Sequence, residues 1–283
     1  MTHSDLDTVA GVHERPLSIS EALDEAPMSR FHVKTVLTSG MGFFTDAYDL
    51  FIIGVVLVLL KGQWHLTTSQ VSLVGSTSLI AAFAGAFFFG RVADIAGRKR
   101  VYTLLAVTMM LAAVATALSP NIVCLIVARF VLGVAIGGDY PVSAVLASEY
   151  ANRKDRGKMV GLVFSMQALG LIVGPLVGIT LLASGVSHDM AWRVMLGLGA
   201  VPAAAVLQLR RTMPESPRYA ARVQGKAEVA SRSLARYSGG VVDAAGSGGE
   251  VVRVDLRSFL TTPRFLLILA GTAGSWFLLD YAF

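Results

Sequence analysis

"VKTVLTSGMGFFTDAYDLFIIGVVLVLL" fills Val33–Leu60 and sets two facts against each other. Its length and apolar content suit a helix that crosses a bilayer, whose hydrocarbon core of ~30 Å takes about 20 residues. Yet Asp46 and Asp49 stand in its middle, where a charged side chain costs at least ~2.5–3.5 kcal/mol. Outward from this stretch, comparable runs lie at Val71–Val92, Val101–Leu118, Asn121–Ser148, Met159–Leu182, Ala191–Leu209 and Phe265–Phe283. Over 283 residues, 54% are apolar and 15% charged, and the mean hydropathy is +0.63. That balance lies outside the soluble range, so an all-α membrane protein with seven spans is expected.

Basic residues set the expected orientation. The segments after the second, fourth and sixth runs read DIAGRKR (Asp94–Arg100), NRKDRGK (Asn152–Lys158) and RRTMPESPRYAAR (Arg210–Arg222). Lys61–Gln70, Ser119–Pro120 and Ala183–Met190 hold one lysine among them. Basic loops stay in the cytosol, which places the N-terminus inside. The same rule absorbs the net charge of +5 and the isoelectric point near 9.5, so neither argues for nucleic acid. Cys124 is the one cysteine and lies within the fourth run, so no intrachain disulfide can form.

Residues 1–32 read as a partly ordered cytosolic tail, with Asp5, Asp7, Glu14, Glu21, Asp24 and Glu25 and no basic segment feeding a short apolar core. A cleaved signal peptide is not expected there. Within it, "SISE" puts Ser18 three residues before Glu21, the spacing of a capping box for a short surface helix. Residues 33–209 then make a six-helix bundle, 210–264 a cytosolic connector, and 265–283 a seventh span. "SGGVVDAAGSGGE" (Ser238–Glu250) reads as the flexible part of the connector. Six helices, a long polar segment and a new apolar run is the plan of a transporter made of two six-helix halves, so a fragment lacking most of its second half is expected. "TDAYDLF", "GGDYPVS" and "LLDYAF" place an acid near a tyrosine in the first, fourth and seventh helices, consistent with three-helix repeats that set a substrate site near the midplane.

Asp46 and Asp49, about 300° apart on a helical wheel, share a face. At ~1.5 Å per residue Asp46 comes about 20 Å along its helix and Asp280 to a similar depth, with Asp139 about 14 Å and Gln167 about 12 Å from the inner ends of theirs. Lipid contact is excluded for such groups, so they are expected to line a water-filled cavity inside the bundle. The competing reading is that some of them brace Arg129 or other cations. Gly133 and Gly137 before Asp139, and Gly170, Gly174 and Gly178 around Pro175, read equally as close-packing faces and as gating elements. Pro141 favours a local kink. Asp94, Arg98, Glu149, Arg153, Arg156 and Glu215 form a possible charge latch on the inner face, against the plainer reading that the basic ones set topology. Trp64 and His65 read as interfacial anchors.

"GRVADIAGRK" (Gly90–Lys99) resembles the loop between the second and third helices of the major facilitator superfamily, and "PESPRY" (Pro214–Tyr219) resembles the signature of its sugar-porter-like branch. "FFTDAYDLF", "GVAIGGDYPVSAVLASE", "RGKMVGLVFSMQALGLIVGP" and "GTAGSWFLLDYAF" together look like the proton-coupled inorganic phosphate symporters, over nearly all of Arg30–Phe283 except the connector. The resemblance implies a major facilitator-type bundle, a six-helix N-terminal half plus a seventh transmembrane helix. It further implies that Tyr140, Gln167, Trp276 and Asp280 contact phosphate, and that Asp46 and Asp139, with Asp49 beside them, handle the coupled proton.

The chemistry agrees with the resemblance. Dihydrogen phosphate can accept from a neutral carboxyl group and, unlike sulfate, can also donate to an ionised one. Proton and phosphate then favour each other's binding. The expectation is a secondary active transporter for proton-coupled uptake of inorganic phosphate across the plasma membrane by alternating access. A sugar or organic-acid porter of the same superfamily, or a truncated non-transporting membrane protein, are the alternatives. The partners implied are phosphate, protons, the lipid bilayer and a second half. No enzyme, metal or cofactor is expected, because no nucleophile with an adjacent base, metal-ligand spacing or phosphate-cradling loop occurs.

Overall fold

A computed structural model describes residues 18–222, 224–240 and 261–282. The long helices are α2 (Arg30–Gln63), α3 (Thr68–Ala96), α4 (Arg98–Ala117), α5 (Ile122–Tyr150) and α6 (Arg156–Ala183). A short α1 (Ile19–Glu25) precedes them. The sixth crossing is built from α7 (His188–Leu198) and α8 (Ala200–Thr212), and α9 (Pro217–Arg222), α10 (Ala227–Ser238) and α11 (Pro263–Ala282) follow. Among the described residues no strand occurs, and six helical stretches are long and apolar enough to cross a membrane. Most of the expected runs fall inside these helices, each of which extends to the next capping residue; Leu118 and Asn121 are themselves the caps of α4 and α5, and Phe283 lies outside the described residues. Thr67, for example, accepts from Gln70 N–H at 3.3 Å while its own N–H donates to Gln70 Oε1 at 2.9 Å.

Two glycine seams draw the helices together. A Cβ at Gly133 or Gly137 would run into the α3 backbone at Ser78 and Ala82, and one at Gly85 would meet the carbonyl of Val134. On the other side, a Cβ at Gly170 would strike the carbonyl of Phe44, and one at Gly174 would sit 3.4 Å from that of Tyr48. In lipid no hydrophobic gain drives helices together, so close backbone approach supplies the contact. The glycines therefore act as packing surfaces for α3 on α5 and α2 on α6. Large side chains such as Phe83, Phe87 and Ile179 point outward, as a bilayer requires.

Three features depart from the sequence reading. The sixth span, expected as one helix over Ala191–Leu209, is interrupted: Gly199 N–H turns back to Leu196 O at 3.2 Å, and Pro202, which has no N–H to give, sits in the first turn of α8. The tail's capping box forms, with Ser18 N–H donating to Glu21 Oε2 at 2.9 Å, but α1 is no surface helix. Ile19 and Leu23 are buried in the cluster that contains Tyr102, Leu146 and Leu234. The connector folds in its first part into α9 and α10; residues 241–260, and with them most of "SGGVVDAAGSGGE", lie outside the described residues.

Candidate functional site

The acids of α2 lie inside the bundle. Asp46 is 0% exposed, and neither carboxylate oxygen has a hydrogen-bond partner among the described residues. One turn earlier, Gly42 leaves the space that the Asp139 carboxylate of α5 occupies, since a Cβ there would collide with Asp139 Oδ2. Asp139 and Asp46 are thereby stacked in neighbouring layers of one interior.

Asp139 is saturated. Its Oδ1 accepts from Arg210 Nη2 at 2.7 Å and its Oδ2 from Ser143 Oγ at 2.9 Å. Arg210 lies over the Tyr102 ring, 3.0 Å from its centroid, and donates through Nη1 to the Tyr102 carbonyl at 2.6 Å. Ser143 Oγ reaches the Tyr102 hydroxyl at 2.9 Å, which donates to Thr38 O at 3.2 Å, so α2, α4, α5 and α8 meet at one carboxylate. A second buried pair joins Asp49 to Arg129 across α2 and α5 at 3.2 Å. Among the described residues the interior thus holds three carboxylates and two guanidiniums.

The expectation of water-lined acids is corrected by this arrangement. Asp46 and Asp139 are 0% exposed and Asp49 6%, and two of the three are matched to arginines. Dry pairing follows from cost, because an unpaired charge here carries its full desolvation penalty. Among the described residues, Asp46 is the one of the three that forms no ion pair.

Beside this level, Gln167 Nε2 of α6 donates to the Tyr140 hydroxyl of α5 at 2.6 Å, and both side chains are half-buried. Phe43 packs edge-on to Tyr140 with centroids 4.6 Å apart, and Phe164 lies 4.6 Å from Phe43. Two amphipathic donors are thus held by an aromatic shelf at the edge of the buried charges. Trp276 and Asp280 lie on α11, but their side chains fall outside the described residues.

The expected latch residues divide into two groups at the basic end. Arg98 pairs with Asp94 at 3.3 Å and closely with Glu149, tying α3, α4 and α5 together. Glu215 Oε1 accepts from the N–H groups of Lys99 and Ser216, both at 3.1 Å. Gly97 between them has φ 98°, and a Cβ there would come 2.9 Å from Glu215 Oε2, which accounts for glycine in the "AGRK" motif. Tyr219 donates to Asp94 O at 3.1 Å; burial, with Glu215 beside it, raises its phenol above the ordinary value and keeps it a donor.

In the second group Arg153 and Arg156 were expected, but their partner Asp24 was not. Arg156 pairs with Asp24 at 2.7 Å rather than with a latch acid, Arg218 reaches the same Asp24 oxygen at 2.7 Å, and Arg153 contributes its backbone N–H to Asp24 O at 3.1 Å while its side chain is exposed. Arg210, Tyr102 and Ser143 were missed as well. Arg210 reads in sequence as one more topology-setting residue at a helix end, and only its neighbour-for-neighbour register with Asp139, 71 residues away, distinguishes it. Ser143, one turn after Asp139, was the available signal.

Comparison with known proteins gives a family model, "Sugar (and other) transporter", matching residues 34–251. The chain is 35% identical, over 96% of its length and 60% of the relative's, to the probable inorganic phosphate transporter 1-6 of Arabidopsis thaliana. It is 37% identical, over 96% of its length and 58% of the relative's, to the inorganic phosphate transporter 1-6 of Oryza sativa subsp. japonica. It therefore spans about six tenths of the curated relatives it matches. Among solved structures, the partially occluded inward-open xylose transporter XylE from E. coli superposes with TM-score 0.68 at 21% identity, covering 74% of this chain and 56% of that one. A bacterial homolog of the human lysosomal transporter Spinster, inward-facing, gives 0.58 at 16% identity over 67% and 44%. At these identities the structures establish the bundle fold alone.

Proposed function

The chain belongs to the sugar (and other) transporter family of the major facilitator superfamily, and from that premise we propose that it carries inorganic phosphate together with protons across the plasma membrane by alternating access. Its N-terminus and basic end face the cytosol. The names of the relatives support phosphate as cargo.

One observation carries the coupling: among the described residues no donor reaches either oxygen of the buried Asp46, while its neighbours Asp49 and Asp139 each hold an arginine. Three carboxylates against two guanidiniums leave one negative charge, and a single proton on Asp46 makes this interior neutral. A proton taken there lowers the repulsion felt by an arriving oxyanion, and the bound oxyanion favours the proton in return. That reciprocity is symport.

Tyr140 and Gln167 provide the first polar contacts for phosphate: the Gln167 amide that donates to the Tyr140 hydroxyl at 2.6 Å can donate to an oxyanion instead. Trp276 and Asp280 of α11 are assigned to the same phosphate site by the family resemblance. Asp139 then acts in coupling through Arg210, since a shift of α8 against α5 separates the pair and opens a second proton site. Asp49 holds Arg129 beneath. At the inner face, Asp94, Arg98, Glu149 and Glu215 form the latch, which breaks as the halves rock, with Arg153 and Arg156 joined to it through Asp24.

Uptake of radiolabelled phosphate into proteoliposomes tests the reading. Accumulation driven by an inward proton gradient, lost in Asp46→Asn, supports it; accumulation that ignores the gradient rejects the symport step.

A further inference from the structure

Among the described residues, the buried side-chain atoms without a hydrogen-bond partner fall into two sets. Arg98 Nη1, Glu149 Oε2, Arg129 Nε, Arg156 Nε and Arg210 Nε all belong to residues held in ion pairs. The others are His32 Nε2, Ser39 Oγ and both oxygens of Asp46, and all lie on α2. Seven residues separate each of these three from the next, so they drift only about 20° per step and form one stripe. All three residues are 0% exposed. At ~1.5 Å per residue the stripe runs about 21 Å, from the buried acids to the basic end.

Other polar groups fill the intervals. The Asp139 carboxylate takes the space beside Gly42, between Ser39 and Asp46. Ser143 Oγ lies 2.9 Å from both Asp139 Oδ2 and the Tyr102 hydroxyl, and Ser39 neighbours that hydroxyl without a well-formed hydrogen bond. Thr35, also buried, stands between Ser39 and His32. A buried polar group left unmatched costs about 1–3 kcal/mol, and internal water is the usual remedy where several such groups are close.

His32 is suited to end a file of such water. Its Nδ1 lies 3.2 Å from the Ser29 backbone nitrogen, a donor, and 3.2 Å from Ser29 Oγ, which can accept. Either tautomer of the ring therefore has a partner at Ser29. A proton taken at Nε2 is matched by one given from Nδ1 through Ser29, one N–H bond forming as the other breaks. Nε2 is enclosed, whereas Ser29 is half-buried between the exposed Met28 and Arg30. Asp155, at the start of α6, is the charged group that acts on the ring, and its Oδ2 accepts from Asn152 Nδ2 at 3.1 Å.

We propose that water fills this stripe from Asp46 to His32, and that the coupled proton leaves Asp46 along it, past Asp139, Ser143, Tyr102 and Ser39, to be passed by His32 to the basic end. The proton step rests on the coupling proposed for Asp46; the water file does not.

Two measurements on the full chain separate the two parts. In nanodiscs, a brief radiolytic pulse of hydroxyl radicals labels side chains that touch water, internal water included. His32 and Tyr102 are expected to be labelled, and Met195, comparably buried in the apolar cluster with Trp192, to stay unlabelled. Silence at His32 or Tyr102, or equal labelling of Met195, overturns the file. In proteoliposomes, a trapped pH dye reads proton delivery beside phosphate counterflow. His32→Gln keeps an acceptor for the Ser29 N–H, as glutamine does in a capping box, but cannot pass a proton. The ratio of proton delivery to counterflow is expected to fall at least about tenfold in it, and His32→Glu, which titrates, to recover most of the ratio. An unchanged ratio in His32→Gln, including one in which both rates fall together, overturns His32 as the exit. A parent that delivers no proton rejects the coupling at Asp46 and the proton step with it, and labelling then decides the file alone.

Discussion

The bundle holds two sets of carboxylate–arginine pairs with the same chemistry and opposite surroundings. Asp139–Arg210 and Asp49–Arg129 are dry, their side chains 0–9% exposed, and they bridge helices that line the interior. Asp24 with Arg156 and Arg218 is wet, at 14–40% exposure, and fastens α1 to the segments around it. In water the attraction between such groups is nearly cancelled by their hydration, whereas in the interior each partner must answer for the other's desolvation. The first set therefore specifies the helix arrangement, and the second trims one end of it.

The largest effect expected from this contrast is that of Arg210→Met. It strands a buried carboxylate and costs on the order of 3–5 kcal/mol, read as loss of folded protein in a thermal unfolding assay in detergent. Adding Asp139→Asn to it restores most of the loss, because the orphaned charge has gone. If the single variant is as stable as the parent, the dry pair carries no such weight. Next comes Gly137→Val, which drives a side chain into the Ala82 carbonyl and is expected to cost about 1–3 kcal/mol or more through overpacking. The same assay measures it, with Gly161→Val, where a Cβ meets nothing within 4 Å, as the silent comparison. The smallest is Asp24→Asn, which cuts both wet bridges at about 0–1 kcal/mol each. Its effect on proteolysis of the N-terminal segment should shrink at high salt, because exposed pairs are screened. An effect of Asp24→Asn as large as that of Arg210→Met would erase the distinction.

How much of this was legible in the chain follows from what the bilayer imposes. Helix positions were readable because every backbone group in hydrocarbon must be satisfied within a helix, so runs such as Val101–Leu118 map onto Arg98–Ala117 almost residue for residue. The acids on α2 and α5 stood out for the same reason: nothing polar belongs there without a purpose. Their partners did not. Arg210 sits where the topology rule already predicts arginine, and whether it points to solvent or inward depends on how α8 packs against α4 and α2. Asp24 lay in a stretch whose composition suggests a loose tail, and its role appears only when α1 folds back on the bundle. Gly97 was recognisable as part of a motif; its φ of 98° and the nearness of Glu215 give the motif its physical cause.

The proposal that the coupled proton binds Asp46, which has no hydrogen-bond partner among the described residues, is most directly tested by comparing two modes of phosphate movement in Asp46→Asn proteoliposomes. Phosphate counterflow without a pH gradient should persist, while accumulation against a phosphate gradient driven by an inward proton gradient should vanish. Gradient-driven accumulation surviving in the variant would contradict the account.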